Sequence, residues 1–368
     1  MRFLNERTER LITYVYLLIL ANVFWPPDGY LVDPSGANQG ASDRYDSTAF
    51  ALLAVFLGIA LLARWQQTLR LLRLGWPVMV LIGLAFLSAF WAEVPILVIR
   101  RSGTVTLTSL FGIYLVGRYE FGELVAMLVK IYALAMLASL VMIVTFPSLA
   151  IGHNEDYIDA WRGAFTDKNT LGLSAAITMI VSVYAFHRRF GSRWLSVAAL
   201  AMGVVAFMLA NSKTPLVDLV AAVYCGVLVV MLRRRNGFGL ITAFVFAVLG
   251  LAAIGLFTVD PAGILEALGR NPTLTDRAKI WHYVIDYIVR RPWLGYGFGG
   301  FWRSGGVEAN QIWAMVHFKT PHAHNAWLEV GLSLGVAGMG LVAVNWLVAI
   351  YRVARLVTAP AAHHVAFC

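Results

Sequence analysis

The chain has 368 residues, 60% of them hydrophobic and only 13% charged, with a formal net charge of +9. A soluble domain carries about a quarter of its residues as Asp, Glu, Lys and Arg, so soluble enzyme folds are excluded. The positive charge is spread over short segments between apolar runs, which marks it as topology information and not as a nucleic-acid patch.

Taken in chain order, the apolar runs predict ten membrane-spanning helices, over residues 11–25, 47–63, 76–91, 104–117, 124–146, 171–186, 194–210, 215–232, 238–259 and 326–350. Several fall short of the ~20 residues a perpendicular helix needs, so their ends extend into the flanks. Helices are the spanning form, because the runs lack a barrel's alternation and lipid forbids unpaired backbone groups. The basic start and first run imitate a secretory signal, but no small-x-small cleavage site follows, so a retained first span is expected. Cys225, inside an apolar run, and Cys368, at the end, form no disulfide framework.

With the N-terminus cytoplasmic, the inside segments hold fifteen of the 29 Lys and Arg residues, as the positive-inside rule asks. The expected fold is an all-α integral membrane protein. It is a polytopic helical bundle of about ten spans, forming a single membrane domain over 1–368 with a long outer loop at 260–325. The apolar ending at 363–368 reads as the start of another span, so a bundle cut short from 11–12 spans is part of the expectation.

Inside the loop, Thr273-Leu-Thr-Asp276 reads as a helix start, with Asp276 at the positive end of the dipole. From about 276 to 290, Ile280, Trp281, Val284, Ile285, Ile288 and Val289 recur at helical spacing, opposite Arg277, Lys279 and Asp286. Such a helix lies on the membrane surface or caps the bundle. The glycine-rich run from Gly295 to Gly300 follows no strand, so it is not a dinucleotide fingerprint. A segment that lets backbone approach a ligand or a helix is the safer account.

Arg100, Arg101, Arg162, Lys168 and Lys213 lie in short outer loops or at span ends, where topology gives no reason for cations. Ion pairing or snorkelling is the bland account; their common side suggests an anionic ligand at the outer face. Three outer clusters stand out: residues 161–169, residues 211–215, and His322-Ala-His324-Asn325 with Glu329 one turn on. The two histidines offer a base, a metal pair lacking evident third and fourth ligands, or a structural contact at a helix entrance. Asn325 is placed to cap the last span. Lys130, Asp218 and Glu329 are ionisable groups within predicted spans. Glu329 is expected to orient a histidine or pair with an arginine, and Asp218 to partner Lys213. No Ser-His-Asp order, nucleophile elbow, His-Glu-x-x-His or Walker motif is present.

These clusters, in this order, resemble the O-antigen ligase and Wzy-type polymerase superfamily, closest to its ExoQ-like exopolysaccharide-polymerase branch. The resemblance rests on Arg162-Gly-Ala-Phe-Thr-Asp-Lys168-Asn169-x-Leu-Gly172, Ser212-Lys213-Thr214 and Thr275-Asp-Arg277-x-x-x-Trp281. It continues in Pro292-Trp-Leu-Gly-Tyr-Gly-Phe-Gly299 and His322-Ala-His324-Asn325, and covers roughly residues 150–340. The family's His followed after ten residues by Gly is met by His324 and Gly335. Its Arg-x-x-x-Leu is met twice, by Arg270 with Leu274 and by Arg290 with Leu294. Lys213 stands where ligases often carry Arg, and a point charge cannot grip phosphate in bidentate fashion.

The resemblance implies a GT-C type glycosyltransferase that works without metal or other cofactor at the periplasmic face of the bacterial inner membrane. The donor is an undecaprenyl-pyrophosphate-linked glycan, and the acceptor is another glycan or lipid A-core. A flippase and a chain-length regulator are the implied protein partners. His324 becomes the general base and Arg277 the catalytic cation, with Lys213, Arg162 and Lys168 also answering the pyrophosphate. Asn169, Ser212, His322, Asn325, Glu329 and Trp281 complete the substrate site. Trp161, Tyr296, Phe298, Phe301, Trp302 and Trp313 are candidates for stacking on sugar rings. Polymerase is favoured over ligase. A transporter or flippase of an anionic lipid-linked glycan also explains outer cations but predicts an internal repeat that is not seen. A non-catalytic assembly partner is the third reading.

Overall fold

The computed structural model describes residues 5–21, 39–152, 160–233, 241–242, 244–246, 248, 275–303, 305–316 and 319–358. Two compact units divide the chain: one holds Met1–Thr68 and Leu110–Gly226, the other Leu69–Ser109 and Val227–Phe367. Six helices among the described residues are long and apolar enough to cross a membrane. They are α5 (Pro95–Arg118), α6 (Phe121–Thr145), α8 (Lys168–Arg188), α9 (Arg193–Ala210), α10 (Lys213–Arg233) and α13 (Ala326–Thr358). α2 (Gln39–Leu62) supplies a further apolar stretch, bent by 104° against α3 (Trp65–Leu74). α1 (Glu6–Leu20), α4 (Trp76–Leu87) and α7 (Pro147–Ala150) are shorter. The expected span at 238–259 falls largely outside the described residues, as does the end of the one at 11–25.

In the first unit α6, α8 and α9 pack through small residues. Ala135, Ala175, Ala199, Ala206 and Ala210 are all buried where these helices meet. Small side chains let backbones approach closely, which is how helices associate when lipid gives no hydrophobic drive. α1 carries the buried Glu9, which meets Arg64 at 3.0 Å and Arg118 at 3.1 Å and accepts from the Tyr114 hydroxyl at 3.2 Å. Two arginines that report topology in the sequence are therefore also fixed by a buried carboxylate, as a charge in this setting requires. Lys130, within α6, points its ammonium at the Tyr14 hydroxyl, 3.4 Å away.

In the second unit α11 (Thr275–Arg290) and α12 (Val307–Val316) join the start of α13. The predicted helix over 276–290 is present, but its apolar face does not simply lie on a membrane. Ile280, Val284 and Tyr287 are buried in a core with Phe301, Trp302, Ile312 and Leu332, while Ile285 and Val289 remain exposed. Arg100 and Arg101, expected in a loop or at a span end, sit inside α5, which begins at Pro95 rather than near 104. Arg101 donates to the carbonyl of Gly299.

α13 is broken at Gly335, where φ is 62° and ψ −160°. At the break the helix exchanges partners with the glycine-rich segment. The Val336 and Ala337 amides donate to Pro292 and Trp293 carbonyls at 2.7 and 3.2 Å. The Leu332 and Ser333 carbonyls, which those amides would have used in a continuous helix, accept from Tyr296 and Gly297 at 2.9 Å each. Irregular backbone at a broken apolar helix is tolerated only where its polar groups are satisfied by protein, and here four of them are. Only glycine fits: a Cβ on Gly335 would lie 2.4 Å from the Trp293 carbonyl carbon, and one on Gly295 2.5 Å from the Leu332 oxygen.

Candidate functional site

The sequence-predicted residues fall into two groups, one in each unit. In the first, Asp167 caps α8, its carboxylate accepting from the Asn169 and Thr170 amides at 2.7 and 3.1 Å. That cap holds Asn169 on the first helical turn, where its side-chain oxygen accepts from the Ser212 hydroxyl. Asn211 takes a left-handed conformation to end α9 (φ 41°), and α10 starts two residues later. Gly172 makes room for this approach, since a Cβ there would meet Pro215 at 2.9 Å. The clusters at 161–169 and 211–215 are thus joined, with Lys168 and Lys213 next in the chain to the bonded pair.

Arg162 is half-buried, and its guanidinium donates to the Leu149 carbonyl at 3.1 Å and the Thr166 carbonyl at 3.5 Å. Burial pushes its pKa down from the usual arginine value. Asp218 is exposed and, among the described residues, makes no ion pair with Lys213, contrary to expectation. The reason is direction: five residues apart at the start of α10, the two side chains leave on different faces of the helix.

The second group is built around the peptide units of residues 322–324. Asn325 caps α13, accepting from the Trp327 and Leu328 amides at 3.0 and 3.3 Å, as its position predicts. One turn on, Glu329 accepts from the Ala323 amide at 2.8 Å and from the Trp302 indole at 3.0 Å. The Ala323 carbonyl accepts from the Trp281 indole at 2.9 Å. Both sides of Ala323 are therefore clamped, by a carboxylate and by α11. Thr320 adds a 2.6 Å bond from its hydroxyl to the His322 carbonyl, and the Trp313 indole holds the Thr320 carbonyl at 2.8 Å.

The clamp presents His324 at φ 51°, in the left-handed region that a non-glycine residue occupies at a cost of about 1 kcal/mol or more. The His324 amide donates to Nδ1 of His322 at 3.1 Å, and the two rings meet edge to face at 4.2 Å. A neutral His322 that accepts at Nδ1 carries its proton on Nε2. Both imidazoles are exposed. Among the described residues, no three His, Cys, Asp or Glu side chains are grouped to hold a metal ion.

Several expectations change. Among the described residues Glu329 pairs with neither a histidine nor an arginine; it shapes the turn through backbone and indole instead. Tyr296, Phe301 and Trp302 are core residues rather than sugar platforms, because their rings pack edge to face on one another and on Tyr287. Arg277 lies on α11 one turn before Trp281, and its side chain is outside what the structure describes. Arg270 and Leu274 are also outside. Thr320 and the clamping role of Trp302 were missed, and no local spacing signals either of them.

Comparison with known proteins finds similarity to O-antigen ligases in this multi-pass membrane protein. Residues 197–343 match the O-antigen ligase family (Wzy_C). The match takes in Ser212 and Lys213, the 322–329 turn and Gly335. The exopolysaccharide production protein ExoQ of Rhizobium meliloti is 27% identical over 233 residues, 59% of this chain and 52% of that protein. A putative polysaccharide ligase of Rickettsia prowazekii is 34% identical over 91 residues, covering 23% of this chain and 22% of the relative. One of Rickettsia typhi is 26% identical over 175 residues, 46% of this chain and 42% of the relative. The chain thus spans about half the length of ExoQ and less of the others. No solved structure matches at a significant level. The resemblance to O-antigen ligases extends over both sides of the glycine-rich segment.

Proposed function

We propose that the chain is a membrane glycosyltransferase that extends undecaprenyl-pyrophosphate-linked glycans. The observation that carries the proposal is the clamped turn at 322–325, which holds an exposed histidine in a strained conformation at the entrance of a capped helix. Strain of this kind persists only where surrounding bonds over-determine it, and it collects at functional sites. In this reading His324 takes the proton of the acceptor sugar hydroxyl as its oxygen attacks the anomeric carbon. The bond from that carbon to the pyrophosphate oxygen breaks from the opposite face, which inverts the anomeric centre. Charge grows on the leaving pyrophosphate and is answered by cations. Arg277 has that role first, with Lys213, Arg162 and Lys168 as further candidates. His322, Asn325, Glu329 and Trp281 act by holding the turn, and Asn169 with Ser212 by holding the start of α8 and α10.

The reading carries a topology: an inner-membrane bundle of about ten spans, N-terminus cytoplasmic, with the long 260–325 loop and the chemistry on the periplasmic side. A flippase and a chain-length regulator are the protein partners it suggests. A ligase that loads lipid A-core or a protein is the second reading, favoured by the O-antigen ligase match over 197–343. The test uses purified protein in nanodiscs with undecaprenyl-pyrophosphate-linked repeat units and neither metal nor nucleotide. Growth of longer lipid-linked glycans, lost in His324→Ala, is the expected result. Transfer only when lipid A-core is added makes it a ligase. Bound donor with no transfer to any acceptor returns the assignment to transport or assembly.

A further inference from the structure

The break at Gly335 divides α13 into two lengths with different surroundings. Residues 336–355 form a helix about 30 Å long, the thickness of a bilayer's hydrocarbon core. Val344, Trp346, Leu347 and Ile350 stand exposed along it, an apolar surface suited to lipid. The part before the break differs: Leu332, Ser333 and Leu334 are buried, and Glu329 sits among hydrogen-bond donors.

α4 provides a second ruler. It packs beside α13, and at one end the Arg352 guanidinium donates to the Leu74 carbonyl at 2.6 Å. At the other end, past the 3₁₀ turn Ser88–Phe90, the Trp91 indole donates to the Leu294 carbonyl at 3.0 Å. Twelve α-helical residues and that turn measure about 24 Å. α4 therefore runs from the level of Arg352 to the level of the glycine-rich segment, and stops where α13 breaks.

The side chains at that level are those a membrane interface selects. Phe90 is 87% exposed and Trp293 75%, and Val289 and Leu294 are exposed beside them. Arg290 stacks over the Tyr287 ring at 4.6 Å and Arg291 over Tyr296 at 4.7 Å, so two guanidinium groups are held at the same tip. Aromatic rings and arginines gather at the headgroup layer, where ring bodies bury and cations meet phosphate.

We infer that the tip of α11, residues 289–294, rests in the phosphate headgroup layer of the leaflet on the His324 side, and that only the part of α13 after Gly335 crosses hydrocarbon. Ala326–Leu334 then stands outside the hydrocarbon core, which sets the 322–325 turn up to about 14 Å from the break along the helix axis. Glu329, a carboxylate that a continuous span would immerse in lipid, lies on the aqueous side. The partner of the tip is a lipid surface, and the inference holds whichever face of the membrane this is.

Site-directed spin labels test it in the full chain, with Cys225 and Cys368 replaced by serine and the protein in nanodiscs containing phosphatidylglycerol. Labels are placed singly through Trp293→Cys, Trp327→Cys and Leu347→Cys, all exposed positions, with the nanodisc-bound protein checked by size exclusion. The expected result is a lipid-like, oxygen-accessible label at 347, a label at 327 open to a water-soluble nickel chelate, and an intermediate label at 293. Arg290→Gln with Arg291→Gln is expected to at least double the chelate accessibility at 293. A label at 327 that reads like 347 overturns the inference, because α13 then spans from its first residue. A label at 293 as open as 327 also overturns it, and leaves the tip for a protein partner. So does a label at 293 as lipid-buried as 347, and an unchanged reading in the double variant removes the arginines from the headgroup contact.

Discussion

The carboxylate of Glu329 and the amide of Ala323 share a 2.8 Å hydrogen bond, and the same carboxylate oxygen holds the Trp302 indole. Neither donor carries a charge, so the contact is one of geometry. Glu329→Gln keeps an acceptor in place and is expected to retain transfer activity within about threefold. Glu329→Ala leaves two sheltered donors unsatisfied, at about 1–3 kcal/mol, and is expected to lower turnover by about 10- to 100-fold through a misplaced His324. Glycan extension by both variants checks this. A glutamine variant as inactive as the alanine variant would show that the charge itself takes part.

Removing the proposed base has a different signature. His324→Ala is expected to cut turnover by about 10²- to 10⁴-fold while donor binding is unchanged, as loss of general base catalysis does. His322→Ala removes the acceptor for the His324 amide, and its effect should be smaller. Single-turnover extension with a donor-binding assay separates the two, and a fully active His324→Ala protein refutes the role.

For the leaving group, Arg277→Ala is expected to lose both donor affinity and turnover, and Arg277→Lys to restore only part of either, since an ammonium cannot hold two phosphate oxygens in a fork. Lys213→Arg tests the opposite change on α10 and is expected to keep activity. Unchanged donor affinity and turnover in Arg277→Ala would remove the cation from the mechanism.

Gly335→Ala forces a Cβ into the Trp293 carbonyl at 2.4 Å and a side chain into a positive-φ backbone. We expect the second unit to be destabilised by several kcal/mol, seen as a lower melting midpoint in detergent. Gly340→Ala, further along the same helix with nothing within 4 Å, is the control and should be near neutral. Equal melting of the two variants would mean the exchange of bonds at the break is not tight.

Acid is expected to loosen one further contact. Arg303 donates to Glu93, which holds that carboxyl below its ordinary value. A carboxylate with a lowered folded pKa contributes stability above the ordinary carboxylate range, and that contribution is lost as pH falls through the folded value. Glu93→Gln should therefore flatten the acid limb of a stability profile below about pH 4. An identical limb in the variant would assign the acid sensitivity elsewhere.

Much of the helical layout was legible because apolar runs of this length have one physical solution. The same holds for α11, whose 3.6-residue period was visible, and for Asn325, whose capping role needs only its neighbours. Partners distant in the chain were hidden. Nothing in the local sequence ties Trp302 to Glu329 or Trp281 to Ala323, since each contact depends on how α11, α12 and α13 pack. The break at Gly335 was also invisible, because glycine is common inside membrane helices and the run at 326–350 reads as unbroken. The ring positions of Tyr296, Phe301 and Trp302 misled in the other direction: an aromatic cluster suits a sugar platform and a core equally well in sequence.

The exchange between the 292–297 backbone and the 332–337 backbone also has a consequence for how the protein is made. Ribosomes deliver the glycine-rich segment some forty residues before its partners, so its amides and carbonyls leave the translocon with no mate. The Val336 and Ala337 amides that satisfy the Pro292 and Trp293 carbonyls are the last of these partners to be synthesised. A nascent chain halted before residue 336 therefore carries only half of the exchange, the bonds from Tyr296 and Gly297 to Leu332 and Ser333.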